Sequence, residues 1–136
     1  MVIRDLMNRN VICVDQNASI LEAAKLMLRE NIGSVCVVGG SLVGMLTDRD
    51  ITIKATSEGW NPAEHRVQEI MTRNPVFISP NADVLEATEL MAKHHVRRLP
   101  VCQDDQIMGV VSLADVADYT RRCLDNIFTE ETKAEK

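Results

Sequence analysis

The chain repeats itself. Asp5-Leu6-Met7-Asn8-Arg9-Asn10 returns as Glu69-Ile70-Met71-Thr72-Arg73-Asn74, with Met71 64 residues after Met7. Asn17-Ala18-Ser19-Ile20-Leu21-Glu22-Ala23 returns in the same register as Asn81-Ala82-Asp83-Val84-Leu85-Glu86-Ala87. By Gly44 and Gly109 the spacing is 65, so one residue is added between positions 103 and 106, where turn chemistry predicts a hairpin tip that tolerates it. A sequence that occurs twice has to build the same supersecondary unit twice, which removes most folds from consideration.

Each copy reads as strand, helix, strand, strand, helix. Short β-prone runs at 11–14 and 76–78 end in turn signals. Ser19 with Glu22, and Asp83 with Glu86, carry N-cap spacing ahead of apolar positions Ile20, Ala24, Met27 and Val84, Ala87, Met91. Residues 35–38 and 99–102 are second strands, Gly39-Gly40-Ser41 and Gln103-Asp104-Asp105 are turns, and residues 42–46 and 107–111 close the hairpins. Second helices start near Asp48 and Leu113, the first ending near Gly59. The expected fold is α/β (α+β): two pseudo-symmetric motifs, each a three-stranded sheet with two helices. Neither motif alone covers its sheet, so the two pack into one module with a central cleft. The boundaries are 2–60 for the first motif, 61–66 for the linker, 67–124 for the second motif and 125–136 for a frayed C-terminal tail.

Both copies close on one pattern. Gly44-Met45-Leu46-Thr47-Asp48-Arg49-Asp50 and Gly109-Val110-Val111-Ser112-Leu113-Ala114-Asp115 place a hydroxyl residue three positions before an aspartate, at a strand-to-helix turn. Unpaired N–H groups beside a carboxylate can hold a phosphate and accept from a ribose. The same spacing is also a capping box, which needs no ligand.

A net charge of −5, with no basic run longer than two residues, argues against a nucleic-acid footprint. No long apolar run marks a membrane span and no signal peptide opens the chain, so a cytoplasmic protein is the expectation. Cys13, Cys36, Cys102 and Cys123 lack metal-ligand spacing and read as buried free thiols. His94 and His95 read as polar surface residues at a helix end, and the pairs Met7/Met71 and Met27/Met91 as equivalent core positions. A nucleophile elbow, a P-loop and a zinc-protease motif are all missing, so no catalytic residue is assigned and the chain is expected not to be an enzyme.

The doubled G-h-h-[ST]-x-x-D motif, with Val96-Arg97-Arg98-Leu99-Pro100-Val101 ahead of the second hairpin, resembles a tandem pair of cystathionine-β-synthase (CBS) domains over residues 2–120. The resemblance implies a regulatory module that binds AMP, ADP, ATP or S-adenosylmethionine between its motifs, needs no further cofactor, and signals to a separate effector protein. A ligand-free protein-interaction module is the alternative. The resemblance implies crosswise sites. The first comprises Met45, Thr47 and Asp50 with Val76, Val96, Arg97, Arg98 and Pro100. The second comprises Val110, Ser112 and Asp115 with Val11, Ile12, Ile32, Gly33 and Ser34. Where the first has Arg97-Arg98 the second has Gly33-Ser34, so the first is expected to be tighter for phosphorylated adenosine. A homodimer through the outward helices, with Ile51, Ile53, Val116 and Leu124 on them, is also implied.

Overall fold

Repetition in the sequence carries through to the hydrogen bonds. The computed structural model describes residues 1–134. In chain order the elements are α1 (Ile3–Leu6), β1 (Cys13–Asp15), α2 (Ile20–Glu30), β2 (Ser34–Val38), β3 (Leu42–Thr47), α3 (Asp48–Asp50), β4 (Thr72–Arg73), α4 (Val84–His94), β5 (Arg98–Gln103), β6 (Gln106–Ser112) and α5 (Leu113–Ala134). They form two units. One comprises Asn10–Pro75 with Gln103–Ile107; the other comprises Met1–Arg9, Val76–Cys102 and the residues from Met108 on.

The compact units are therefore not the sequence repeats. The segment that opens each repeat belongs to the unit built from the other repeat's hairpin. In the Asn10–Pro75 unit the sheet order is β1-β2-β3-β4, with β1 parallel to β2 and the other pairs antiparallel. Its fourth strand comes from the opening of the second repeat, where Met45 faces Thr72. In the other unit the equivalent contact is made by Asn8, whose N–H and C=O both bond Val110 at 2.9 Å. Each unit so gains a strand or bridge beyond the three strands expected.

The strand expected at 76–78 is reduced to one parallel bridge, Ile78 with Val101. Its counterpart β1 is longer because the Cys36 N–H donates to the Ile12 carbonyl at 3.1 Å. Pro100 stands where Cys36 does and has no N–H to give.

Helix starts and stops repeat as well. Ser19 Oγ accepts from Glu22 N–H at 3.0 Å and Asp83 Oδ2 from Leu85 N–H at 3.1 Å. Asn31 and His95 end α2 and α4 in the left-handed conformation, φ 53° and 55°, so His95 serves as a helix terminator. After α3 the chain winds wider over Ile51–Ala55 and tighter over Thr56–Glu58 before Gly59 stops it at φ 70°. The tail expected to fray from residue 125 instead continues α5 to Ala134, with Thr129 Oγ1 donating back to the Asp125 carbonyl. Residues 135 and 136 lie outside the described residues.

The two cores correspond. Val14, Ile20, Ala23, Met27, Val35, Val37, Leu46 and Met71 fill one; Met7, Ile78, Ala87, Met91, Leu99, Val101 and Val111 fill the other. All four paired methionines are buried, as expected from their positions. Val116, expected on an outward face, is in fact buried in the second core, while Ile53 and Leu124 are exposed and Ile51 packs partly against the first core. Cys13 departs from the expectation of buried thiols: it lies on an edge strand and is exposed, whereas Cys36 is buried and Cys102 and Cys123 are half-buried.

Candidate functional site

The glycines that open both motifs serve close packing. A Cβ on Gly44 would lie 2.9 Å from the Thr72 carbonyl and 2.6 Å from Met71 Sδ. On Gly109 it would meet the Asn8 carbonyl at 2.7 Å and Met7 Sδ at 2.8 Å. Neither glycine has a positive φ, so what each supplies is space for the crossing segment.

Six residues on from Gly44, the strand has turned into a helix through a reciprocal cap. Thr47 Oγ1 accepts from Asp50 N–H at 3.1 Å and Asp50 Oδ2 accepts from Thr47 N–H at 3.0 Å. The second copy repeats this with Ser112 and Asp115 at 3.1 and 2.9 Å. The capping reading of the motif is thus realised in both copies. It uses one oxygen of each carboxylate, and a carboxylate offers about four acceptor positions, so each half-buried acid keeps capacity for a hydroxyl.

Each turn is joined to the start of the second strand of its own unit. Asp48 N–H donates to the Gly33 carbonyl at 2.9 Å, and Leu113 N–H to the Arg97 carbonyl at 2.7 Å. The structure therefore brings Met45, Thr47 and Asp50 into the same unit as Val11, Ile12, Ile32, Gly33 and Ser34. Likewise it gathers Val110, Ser112 and Asp115 with Val76, Val96, Arg97, Arg98 and Pro100. Each unit holds half of each expected residue set. Ile12 and Ile32, and Val76 and Val96, also pack against their unit's core, and Pro100 is fully buried. Arg97 and Arg98 are exposed.

Two charged residues at the first turn were not singled out from the sequence. Lys54 Nζ lies 3.2 Å from Asp50 Oδ1 and donates to the Ile70 carbonyl at 3.0 Å. The i,i+4 spacing of Asp50 and Lys54 was the available signal. The Asp48 carboxylate, capped by Arg49 N–H, stands beside Gly33: its Oδ2 would be 3.1 Å from a Cβ there. In the second copy Tyr119 replaces Lys54 and Leu113 replaces Asp48. Among the described residues, no group of three or more His, Cys, Asp or Glu side chains is placed to hold a metal ion, and no helix is long and apolar enough to cross a membrane.

A twice-built α+β unit, closing each time on a hydroxyl–aspartate turn, is the architecture of a paired regulatory module. The chain belongs to the CBS domain family, which matches it twice, over residues 3–55 and 67–122. The CBS domain-containing protein YhcV of Bacillus subtilis is 40% identical over 116 residues, covering 85% of this chain and 82% of that protein. The crystal structure of Hypoxic Response Protein I with two coordinated zinc ions is similar at a TM-score of 0.80 and 35% identity, covering 87% and 98% of the two chains. The CBS domain pair of protein MJ0100, in complex with 5′-methylthioadenosine and S-adenosyl-L-methionine, is similar at a TM-score of 0.79 and 29% identity, covering 88% and 99%.

Proposed function

We propose that this protein is a non-catalytic sensor of adenosine-containing ligands, AMP, ADP, ATP or S-adenosylmethionine, that passes ligand state to a separate effector protein. The observation that carries the reading is the pair of hydroxyl–aspartate turns, each with an acid whose second oxygen is not used by its own cap. The adenosine ligands named for the MJ0100 pair support the same chemistry. Asp50 and Asp115 accept ribose hydroxyls, Thr47 and Ser112 bond near the phosphate, and Arg97 and Arg98 supply positive charge to it. The Thr47–Asp50 site is the tighter one for phosphorylated adenosine. Lys54 beside Asp50 offsets that acid, and in the second copy Tyr119 stands in its place.

Completed caps also favour a second reading, a ligand-free interaction module in which Asp50 and Asp115 only start helices. Thermal shift with AMP, ADP, ATP, NAD and S-adenosylmethionine separates the two. A ligand that binds the native state alone adds about 2.7 kcal/mol at 100 times its dissociation constant. A flat response to all five supports the interaction module.

A further inference from the structure

The first unit carries two cysteines that neither the fold nor the proposed ligand chemistry requires. Cys13 on β1 and Cys36 on β2 are direct partners in a parallel ladder. Parallel neighbours project their side chains to the same face, and adjacent strands lie about 4.8 Å apart, inside the roughly 4.4–6.8 Å Cα separation that a disulfide spans. The thiols already interact through a side-chain hydrogen bond. Their environments differ in a useful way: Cys13 is exposed on an edge strand, while Cys36 is 1% exposed. In the second unit the equivalent positions hold Phe77 and Pro100, so the pair is a feature of one unit only.

We propose that Cys13 and Cys36 form a peroxide-oxidisable dithiol that closes to a disulfide between β1 and β2, with Cys13 the attacking and Cys36 the resolving thiol. Solvent reaches Cys13 and does not reach Cys36, which sets the order of the two steps. The Cys13 thiolate attacks one oxygen of a hydroperoxide. An S–O bond forms as the O–O bond breaks, and the departing hydroxide or alkoxide takes a proton, leaving sulfenic acid. The Cys36 sulfur then attacks the Cys13 sulfur. The S–S bond forms, the S–O bond breaks, and the leaving hydroxide takes the proton that Cys36 gives up. Two thiols lose two electrons and the peroxide gains them.

Acidity supports these roles. Hydrogen bonding from Cys36 lowers the Cys13 thiol to about 7, against desolvation acting the other way, so much of it is thiolate near neutrality. Cys102, by contrast, is pushed up by burial. Lower basicity also weakens a nucleophile, so the rate advantage of Cys13 over Cys102 is smaller than the ratio of their thiolate populations.

The test is limiting hydrogen peroxide added to the reduced full chain, followed by thiol titration, intact mass and non-reducing peptide mapping. Expected are loss of two of the four free thiols, loss of two hydrogens from the intact mass, and one linked peptide pair joining Cys13 to Cys36. Cys36→Ser should stop at a Cys13 sulfenic acid that a cyclic 1,3-dione traps. Cys13→Ser should slow thiol loss to the rate of Cys102. Linkage to Cys102 or Cys123, disulfides only between chains, or oxidation of Cys13 no faster than Cys102 in the wild type would each overturn the proposal. The wild-type mapping stands even if the buried Cys36→Ser substitution impairs folding.

Discussion

Gly44→Ala tests whether the family's signature glycine is there for packing. Two terms oppose each other. Gly44 does not have a positive φ, so alanine is conformationally acceptable and stiffens the unfolded chain, a gain of about 0.4–1 kcal/mol. Against this, the new methyl carbon would sit 2.6 Å from Met71 Sδ, 3.0 Å from Met71 Cγ and 2.9 Å from the Thr72 carbonyl. Overpacking of this kind costs about 1–3 kcal/mol. The sulfur can swing aside, but the carbonyl belongs to β4, which is held in register on β3. The net expectation is a loss of about 0.5–2 kcal/mol. In urea, with a slope of about 1–3 kcal/mol/M, the midpoint falls by several tenths of a molar at unchanged slope. Met71→Ala removes two of the three contacts, so Gly44→Ala should cost less in that background without becoming free, a coupling of about 1 kcal/mol. Gly109→Ala, facing the Asn8 carbonyl and Met7, should behave alike. A Gly44→Ala chain as stable as wild type, or more so, would refute the packing account.

Four further outcomes are expected. Calorimetry should show Asp50→Ala weakening AMP and adenosine alike, and Arg97→Ala weakening AMP far more than adenosine; indistinguishable variants would undo the division of roles. Lys54→Gln should lower the preference for AMP over adenosine by about threefold, the worth of a half-exposed ion pair, and an unchanged ratio removes Lys54 from the site. Glu69 accepts from Arg66 N–H and pairs with His65, which holds its carboxyl below the ordinary value. Its stabilisation is therefore present above about pH 4 and lost as pH falls through the lowered value, so Glu69→Gln should flatten the acid limb of a stability–pH curve. Light scattering at tens of micromolar should report a homodimer, for which Leu124, Ile127 and Phe128 on α5 offer exposed apolar surface.

The repeat made the element order legible because helix caps and strand periods are local: Ser19, Asp83, Asn31 and the paired methionines act within a few residues of their own helix or strand. What the sequence did not show is non-local. That the segments around Met7 and Met71 each join the unit of the other repeat depends on strand pairing across tens of residues, and identical local signals are compatible with either pairing. The loss of a strand at 76–78 was readable in principle, since Pro100 cannot donate, but only once its partner was known. The length of α5 was underestimated for a related reason: a polar run such as residues 129–134 looks like a tail when it is judged by burial, although it contains no helix breaker.

Duplication preserved the backbone geometry of the two turns more strictly than the charges around it. Cap distances agree to within about 0.1 Å between copies, as expected of bonds that the fold itself needs in order to start a helix. Lys54 against Tyr119, Asp48 against Leu113 and Gly33-Ser34 against Arg97-Arg98 are then the informative differences, because no cap depends on them. As the i,i+4 partner of the motif acid, Lys54 has a structural use, and it also bonds the Ile70 carbonyl. In a phosphate-binding turn the same lysine offsets an aspartate that would otherwise repel the anion. The acid that carries a cation is Asp50, and the copy whose second strand starts beside a carboxylate is also the first. Ligand charge, more than ligand shape, should therefore be what distinguishes the two sites.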